Sequence, residues 1–312
     1  MINPFISVVS PVYYAENIVE ELVLQLRSVL SKITLNYEII LVEDGSTDNS
    51  WKKIEEIHNK YNKNVRGIKL SRNFGQHYAI TAGIEAAKGD YVIVIDCDLQ
   101  ENPIYILDLY NKICEKNEIV FTIKNNRKHN LFKNITASLF TKLFNYLTDS
   151  NSLKSNQNIG TYSIISRKAA NAFLQYNDYH RHYLMVLRWI GFKHDYILID
   201  HNERFAGKSS YTLSKLLKHA IDGIISQSDK LLRIFINIGL FISFSSFTLI
   251  FIIILLYTYH GFLSGWASLA SIILFSTGMI LTGIGIIGIY LAKTFEQTKN
   301  RPKYIIDKKL ES

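Results

Sequence analysis

From Phe5 to about Asp200, apolar residues fall in short runs separated by longer amphipathic stretches. Ile6-Ser7-Val8-Val9, Glu38-Ile39-Ile40-Leu41-Val42, Gly67-Ile68-Lys69-Leu70, Tyr91-Val92-Ile93-Val94-Ile95 and Ile119-Val120-Phe121 are short and rich in β-branched residues, as strands are. Helical spacing of apolar positions fills the intervals near residues 16–32, 48–61, 76–87 and 103–115. Strands that are apolar almost throughout are buried on both faces. The alternation therefore predicts an α/β domain with a mostly parallel sheet covered by helices on each side. Such sheets bind ligands beyond the carboxyl ends of their strands, and the polar clusters of this chain sit at those ends.

The apolar pattern changes late in the chain. Ile234 to Tyr257 runs 24 residues without a charge, and Trp266 to Ala292 runs 27. Each exceeds the roughly 20 residues needed to cross a bilayer as helix, so two transmembrane helices are expected. Residues 207–230 place Leu213, Leu216, Leu217, Ala220, Ile221, Ile224 and Ile225 on one helical face, which predicts a segment lying in the headgroup plane. Residues 131–147 repeat that pattern with Phe132, Ile135, Leu139, Leu143 and Leu147. Lys230, Arg233, Lys293, Lys299, Arg301 and Lys303 flank the two runs, while Thr258 to Gly265 between them has no Lys or Arg. The positive-inside rule then places both long flanks in the cytoplasm. Gly278, Thr282, Gly288 and Ala292 leave room for helix–helix contact and hence for a homo-oligomer.

The net charge of +8 suits a surface lying against anionic lipid and phosphates. No Lys/Arg block interleaved with aromatics points to nucleic acid. Cys97 and Cys114 offer neither a disulfide framework nor a metal spacing. Met1-Ile2-Asn3-Pro4 leads directly into a strand-like run, without a signal-peptide pattern. No G-x-G-x-x-G opens the first helix, which argues against dinucleotide binding.

Candidate chemistry gathers at four strand ends. Asp96-Cys97-Asp98-Leu99-Gln100 follows an apolar strand. Two carboxylates in alternation there call for a cation, and a hard divalent ion bridging phosphates often takes only one or two protein oxygens. In Glu43-Asp44-Gly45-Ser46-Thr47-Asp48, capping accounts for Ser46, Thr47 and Asp48, but Asp44 stands at the mouth, where it could accept hydrogen bonds from a nucleotide. Pro11 ends the first strand because it lacks a ladder donor, and Tyr13 either stacks on a base or covers the sheet edge. Ser71-Arg72-Asn73-Phe74-Gly75-Gln76 reads from composition only as a strand-to-helix loop.

In this order the motifs resemble the family 2 glycosyltransferases, and among them the polyprenyl-phosphate and dolichyl-phosphate branch. The resemblance spans nearly the whole chain, through Arg204-Phe205-Ala206-Gly207-Lys208-Ser209-Ser210-Tyr211, the two apolar spans and Arg301-Pro302-Lys303-Tyr304-Ile305. It implies a GT-A catalytic domain over residues 1–206, an interfacial segment 207–232, two transmembrane helices 233–293 and a cytoplasmic tail 294–312. The implied reaction is inverting transfer of a sugar from a UDP- or GDP-linked donor to a polyprenyl phosphate, at the cytoplasmic face of the cell membrane. Pro11, Tyr13 and Asp44 would contact the nucleotide, and Glu16 stands one residue from a nucleotide-contacting glutamate of the family. Asp96 would hold ribose or sugar, and Asp98 and Gln100 would ligate Mg²⁺ or Mn²⁺. Arg204 and Lys208 match cationic positions near the phosphates; Arg127 and Lys128 are either such cations or solvated surface charges.

One departure bears on mechanism. An Asp-x-Gly-Asp-Phe pattern of the branch is replaced by Asn158-Ile159-Gly160-Thr161-Tyr162, so a general base is absent. A phosphate acceptor with a second pKa near ~6 is already mostly dianionic at neutral pH and does not need one. Two other readings are kept: a processive polysaccharide synthase, for which Arg188-Trp189 has Met185 where a Gln belongs, and a non-catalytic nucleotide-sugar-binding membrane component.

Overall fold

The computed structural model describes residues 4–124, 159–176, 178, 181–200, 232–239, 241, 244, 245, 248, 252 and 265–311. The chain divides into two compact units, one of residues Met1–His129, Asn156–Ser209 and Arg301–Ser312, the other of Asn130–Ser155 and Ser210–Asn300.

The first unit is built on one sheet. Its strands are β1 (Ile6–Val12), β2 (Tyr37–Glu43), β3 (Val65–Leu70), β4 (Tyr91–Val94), β5 (Ile119–Lys124), β6 (Ile159–Ser166), β7 (His194–Ile199) and β8 (Ile306–Leu310). They lie in the order β7-β5-β6-β4-β1-β2-β3-β8. The pairs β1–β2, β1–β4, β2–β3 and β5–β7 are parallel; β6 and β8 run antiparallel to their neighbours. Helices α1 (Val19–Leu30), α2 (Ser50–Lys60), α3 (Gln76–Ala86), α4 (Ile106–Ile113), α5 (Arg167–Gln175) and α6 (Tyr183–Ile190) connect them.

Period-2 alternation divides the strand side chains between two apolar layers. Ile6, Val8, Ile39 and Leu41 join α1, α2 and α4 in one core. Val9, Ile40 and Val42 join α3, α5 and α6 in the other. In α1 the buried positions Val19, Leu22, Val23, Leu26, Val29 and Leu30 follow the helical spacing that the sequence displays. The result is the three-layer, mostly parallel α/β architecture expected, with strand ends within a few residues of prediction.

Two expectations need correction. Pro11 does not end β1: the strand continues to Val12, and Pro11 pairs with Val42. The Val9 carbonyl accepts from Ile95, and the Val12 carbonyl from Asp44, so alternation turns the Pro11 nitrogen toward β4. There β4 has already ended, its last pair being Val94 with Val9, and no ladder bond is lost. Nor is residue range 294–312 only a tail. Ile306–Leu310 adds the edge strand β8 to β3.

In the second unit, helix α7 runs from Trp266 to Thr298. Its Phe275–Thr298 portion, with mean hydropathy 1.8, is long and apolar enough to cross a membrane, the one such helix among the described residues. Residues 232–239 are also helical. A Cβ on Gly283 would lie 2.5 Å from the Phe235 ring, so the absent side chain lets these two helices touch. Within the chain Gly278 and Gly288 face open space. The amphipathic segments expected at 131–147 and 207–230, and parts of the first apolar run, lie outside the described residues.

Candidate active site

The neighbouring ends of β4, β1 and β2 each hand over to a polar turn. Glu43, the last residue of β2, is fully buried and accepts both the backbone N–H and the hydroxyl of Ser46. That closes a tight turn around Gly45, whose φ is +67°. A Cβ on Gly45 would sit 2.2 Å from the carbonyl carbon of Arg72, so only glycine lets the turns at 43–46 and 71–75 meet.

Asp44 locks the same junction. Its carboxylate accepts from the backbone N–H of Phe74 at 2.8 Å and of Gly75 at 2.9 Å. Burial pushes its pKa up to about 6, against the pull of those two N–H groups; adjacent Glu43 raises it further and Arg72 opposes. The loop that the sequence leaves without a role is thus the partner of Asp44.

Beyond β4 the chain turns sharply. Asp98 accepts the Gln100 N–H at 3.1 Å across Leu99, whose φ of +56° is a left-handed conformation that non-glycine residues seldom adopt. The turn sets the Asp98 carboxylate against the Gln100 backbone N–H. Asp96, two residues before, accepts from Gln76 Nε2 at 2.6 Å, and Gln76 opens α3. Burial foremost, then the Glu101 and Asp98 carboxylates, drive the Asp96 pKa upward; Lys124 and the Gln76 bond oppose. Glu101 is 2% exposed and pairs with Lys124 at 3.2 Å. Buried Tyr162 directs its hydroxyl at the carbonyls of Asn102 and Pro103, beneath the same loop. The Cys97 thiol is pushed up to about 12 by burial, so it packs as a neutral group rather than serving as a thiolate ligand.

Among the described residues the mouth therefore collects more carboxylates than cations, and the atoms these side chains offer are oxygens. Among the described residues no three His, Cys, Asp or Glu side chains form a ready-made metal cage. A two-oxygen site of this kind fits a hard ion that draws its other ligands from phosphates and water.

Tyr13, half-exposed, stands at the end of β1 with Tyr14 against it. Glu16 accepts the backbone N–H of Asn49 at 2.9 Å, which makes it a brace between the loops after β1 and β2. β6 pairs Ser163 with Val94, the last residue of β4, and a Cβ on Gly160 would lie 3.0 Å from Glu101, so the strand that carries Thr161 runs beside this mouth. His182 packs its ring on His77 at 4.1 Å. Arg127, Lys128, Arg204 and Lys208 lie outside the described residues. Gln76, Glu101 and Lys124 were missed from the sequence, because their importance rests on partners 20 or more positions distant.

Comparison with known proteins gives a consistent result. The model of glycosyl transferase family 2 matches residues 7–174. The chain is 34% identical over 304 residues to YkcC, an uncharacterized glycosyltransferase of Bacillus subtilis (strain 168), covering 97% of this chain and 93% of that one. It is 28% identical over 312 residues to the undecaprenyl-phosphate 4-deoxy-4-formamido-L-arabinose transferase of Yersinia enterocolitica, covering 97% and 93%. Among solved structures, glucosyl-3-phosphoglycerate synthase from Mycobacterium tuberculosis, in complex with Mn²⁺, UDP and phosphoglyceric acid, shares the fold. The TM-score is 0.52 at 16% identity, over 72% of this chain and 78% of that one.

Proposed function

The chain belongs to glycosyl transferase family 2, and from that premise we propose that it moves a sugar from a UDP- or GDP-linked donor to a polyprenyl phosphate. The reaction is a single inverting displacement at the anomeric carbon, releasing the nucleoside diphosphate. The observation that carries this reading is the left-handed turn after β4, in which Asp98 accepts the Gln100 backbone N–H two residues beyond Asp96, itself held by Gln76.

A bound Mg²⁺ or Mn²⁺ would supply positive charge for the departing diphosphate, with Asp98 and Gln100 as its protein ligands. Gln76 occupies one lone pair of Asp96 and orients the rest toward the hydroxyls of ribose or sugar. Pro11, Tyr13 and Asp44 line the nucleotide side, and Asp44 does so through the turn it holds. Thr161, on the strand beside this mouth, shapes the sugar or acceptor pocket without acting as a base. The acceptor phosphate dianion attacks directly, and Arg127, Lys128, Arg204 and Lys208 offset the repulsion between the two charged substrates.

Two observations support the lipid acceptor and the membrane. The Yersinia relative, named for transfer to undecaprenyl phosphate, aligns with 97% of this chain. Apolar side chains such as Ile272, Phe275, Leu281, Ile284, Ile287 and Leu291 stand exposed around α7, a distribution that suits lipid rather than water. The anchor is two helices, with the catalytic unit on the cytoplasmic side.

Purified protein given Mg²⁺ or Mn²⁺, a polyprenyl phosphate and a panel of labelled nucleotide-sugars should yield lipid-soluble label. Asp98→Asn should fold and insert but lose roughly 100-fold or more of metal-dependent transfer. Normal turnover in that variant would remove the mechanism.

A further inference from the structure

Tyr14 has φ +50°, a left-handed conformation in which a bulky side chain crowds its own backbone. Such a residue persists only where its surroundings over-determine it. Burial does not explain it: Tyr14 is 54% exposed and Tyr13 50%.

Two contacts hold the ring instead. The Tyr14 hydroxyl shares a hydrogen bond with Thr47 Oγ1 at 2.8 Å. Its ring meets Tyr13 edge to face, with centroids 4.6 Å apart and planes at 78°. Thr47 lies three residues after Asp44, in the loop that closes β2. The backbone N–H of Ala15 donates to Ser50 Oγ at 2.9 Å, and Glu16 holds Asn49, so the loops after β1 and β2 are already joined without Tyr14. The strained tyrosine is thus unnecessary for joining them. What it adds is a fixed orientation for the neighbouring aromatic ring.

We propose that Tyr14 is a positioning residue for the nucleotide base: anchored on Thr47, it holds the Tyr13 ring as a preset wall for a planar heterocycle. This rests on the donor site described under the proposed function. A base stacking on a ring that is already immobilised loses less to side-chain ordering, and stacking accepts uracil or guanine alike. The effect therefore belongs to the base and not to the phosphates.

The test measures binding of UDP, GDP and plain pyrophosphate to the full-length protein with Mn²⁺, alongside thermal unfolding. Tyr14→Gly should weaken both nucleoside diphosphates about tenfold and leave pyrophosphate within about twofold. Its melting temperature should stay level or rise, since glycine accepts the left-handed backbone. Tyr14→Phe and Thr47→Val should each weaken the nucleotides, and the double variant no more than the stronger single one. Equal losses for pyrophosphate and nucleotides, or a falling melting temperature that tracks affinity, would make Tyr14 a residue of the fold and overturn the proposal. Unchanged nucleotide affinity in Tyr14→Gly would overturn it as well, leaving the donor site intact. If the wild type binds neither nucleotide nor pyrophosphate, the donor site itself fails, and this inference with it.

Discussion

The Asp44 carboxyl titrates at about 6 in the fold because burial outweighs the two backbone N–H groups it accepts. Its pKa is raised rather than depressed, so the folded state binds the proton more tightly than the unfolded chain does. Asp44 therefore favours folding most below its unfolded pKa, and that contribution is lost as pH climbs through about 6. Ionised at neutral pH it carries a net desolvation cost, retained because the charged form fastens the 71–75 turn. The stability of the wild type relative to Asp44→Asn should decline between pH 4.5 and 7, as read by paired thermal unfolding. A flat difference would show that Asp44 is not desolvated as described. At this scale the sequence identified Asp44, Asp96, Asp98 and Gln100 as candidates, since each sits in a recognisable strand-end motif. It could not show that Gln76 holds Asp96, or that Lys124 answers Glu101, because nothing local marks either residue.

Among elements, the turn at 71–75 is the hub. Asp44 and Gly45 press on it from β2, and it leads into the helix that presents Gln76 to Asp96. From the other side the Ser71 N–H donates to the Ile305 carbonyl at 2.9 Å, just before β8. β8 is fastened further by Leu310, which packs with Ile54 over the bare backbone of Gly67, and by Tyr304, whose hydroxyl donates to Glu85. Ending the chain at Lys303 should cost roughly 2–4 kcal/mol of stability from the apolar surface of Ile306 and Leu310. It should also bare the edge of β3 and raise protease cleavage within 71–75. Limited proteolysis beside the full-length protein tests this, and an unchanged cleavage pattern would mean β8 does not support the turn. The sequence offered five charged or apolar residues there with no turn signal and no neighbour in view. A strand that pairs across more than two hundred positions has no local signature.

At the scale of the whole molecule, connectivity constrains the anchor. β7 and β8 belong to the same sheet, yet α7 lies between them in sequence. A chain that leaves one side of a membrane and returns to that side crosses an even number of times. If α7 spans the bilayer, a second crossing must lie within residues 200–265, where the sequence places the run Ile234–Tyr257. With Cys114→Ser as background, Ser264→Cys should react with an impermeant maleimide added to intact cells, and Glu311→Cys only after lysis. Labelling of both positions from the same side would reject the two-helix anchor.

By itself the sequence determined the α/β class, most strand and helix positions, the apolar spans and the strand-end carboxylates. All of these follow from periodicity and from residues adjacent in the chain. Tertiary structure alone decided that Pro11 continues its strand, that the chain returns as β8, and that Asp44 and Asp96 are reached by one intervening turn. The physical reason is the same in each case: whether a backbone group or a carboxylate is satisfied depends on which distant strand end or turn arrives beside it.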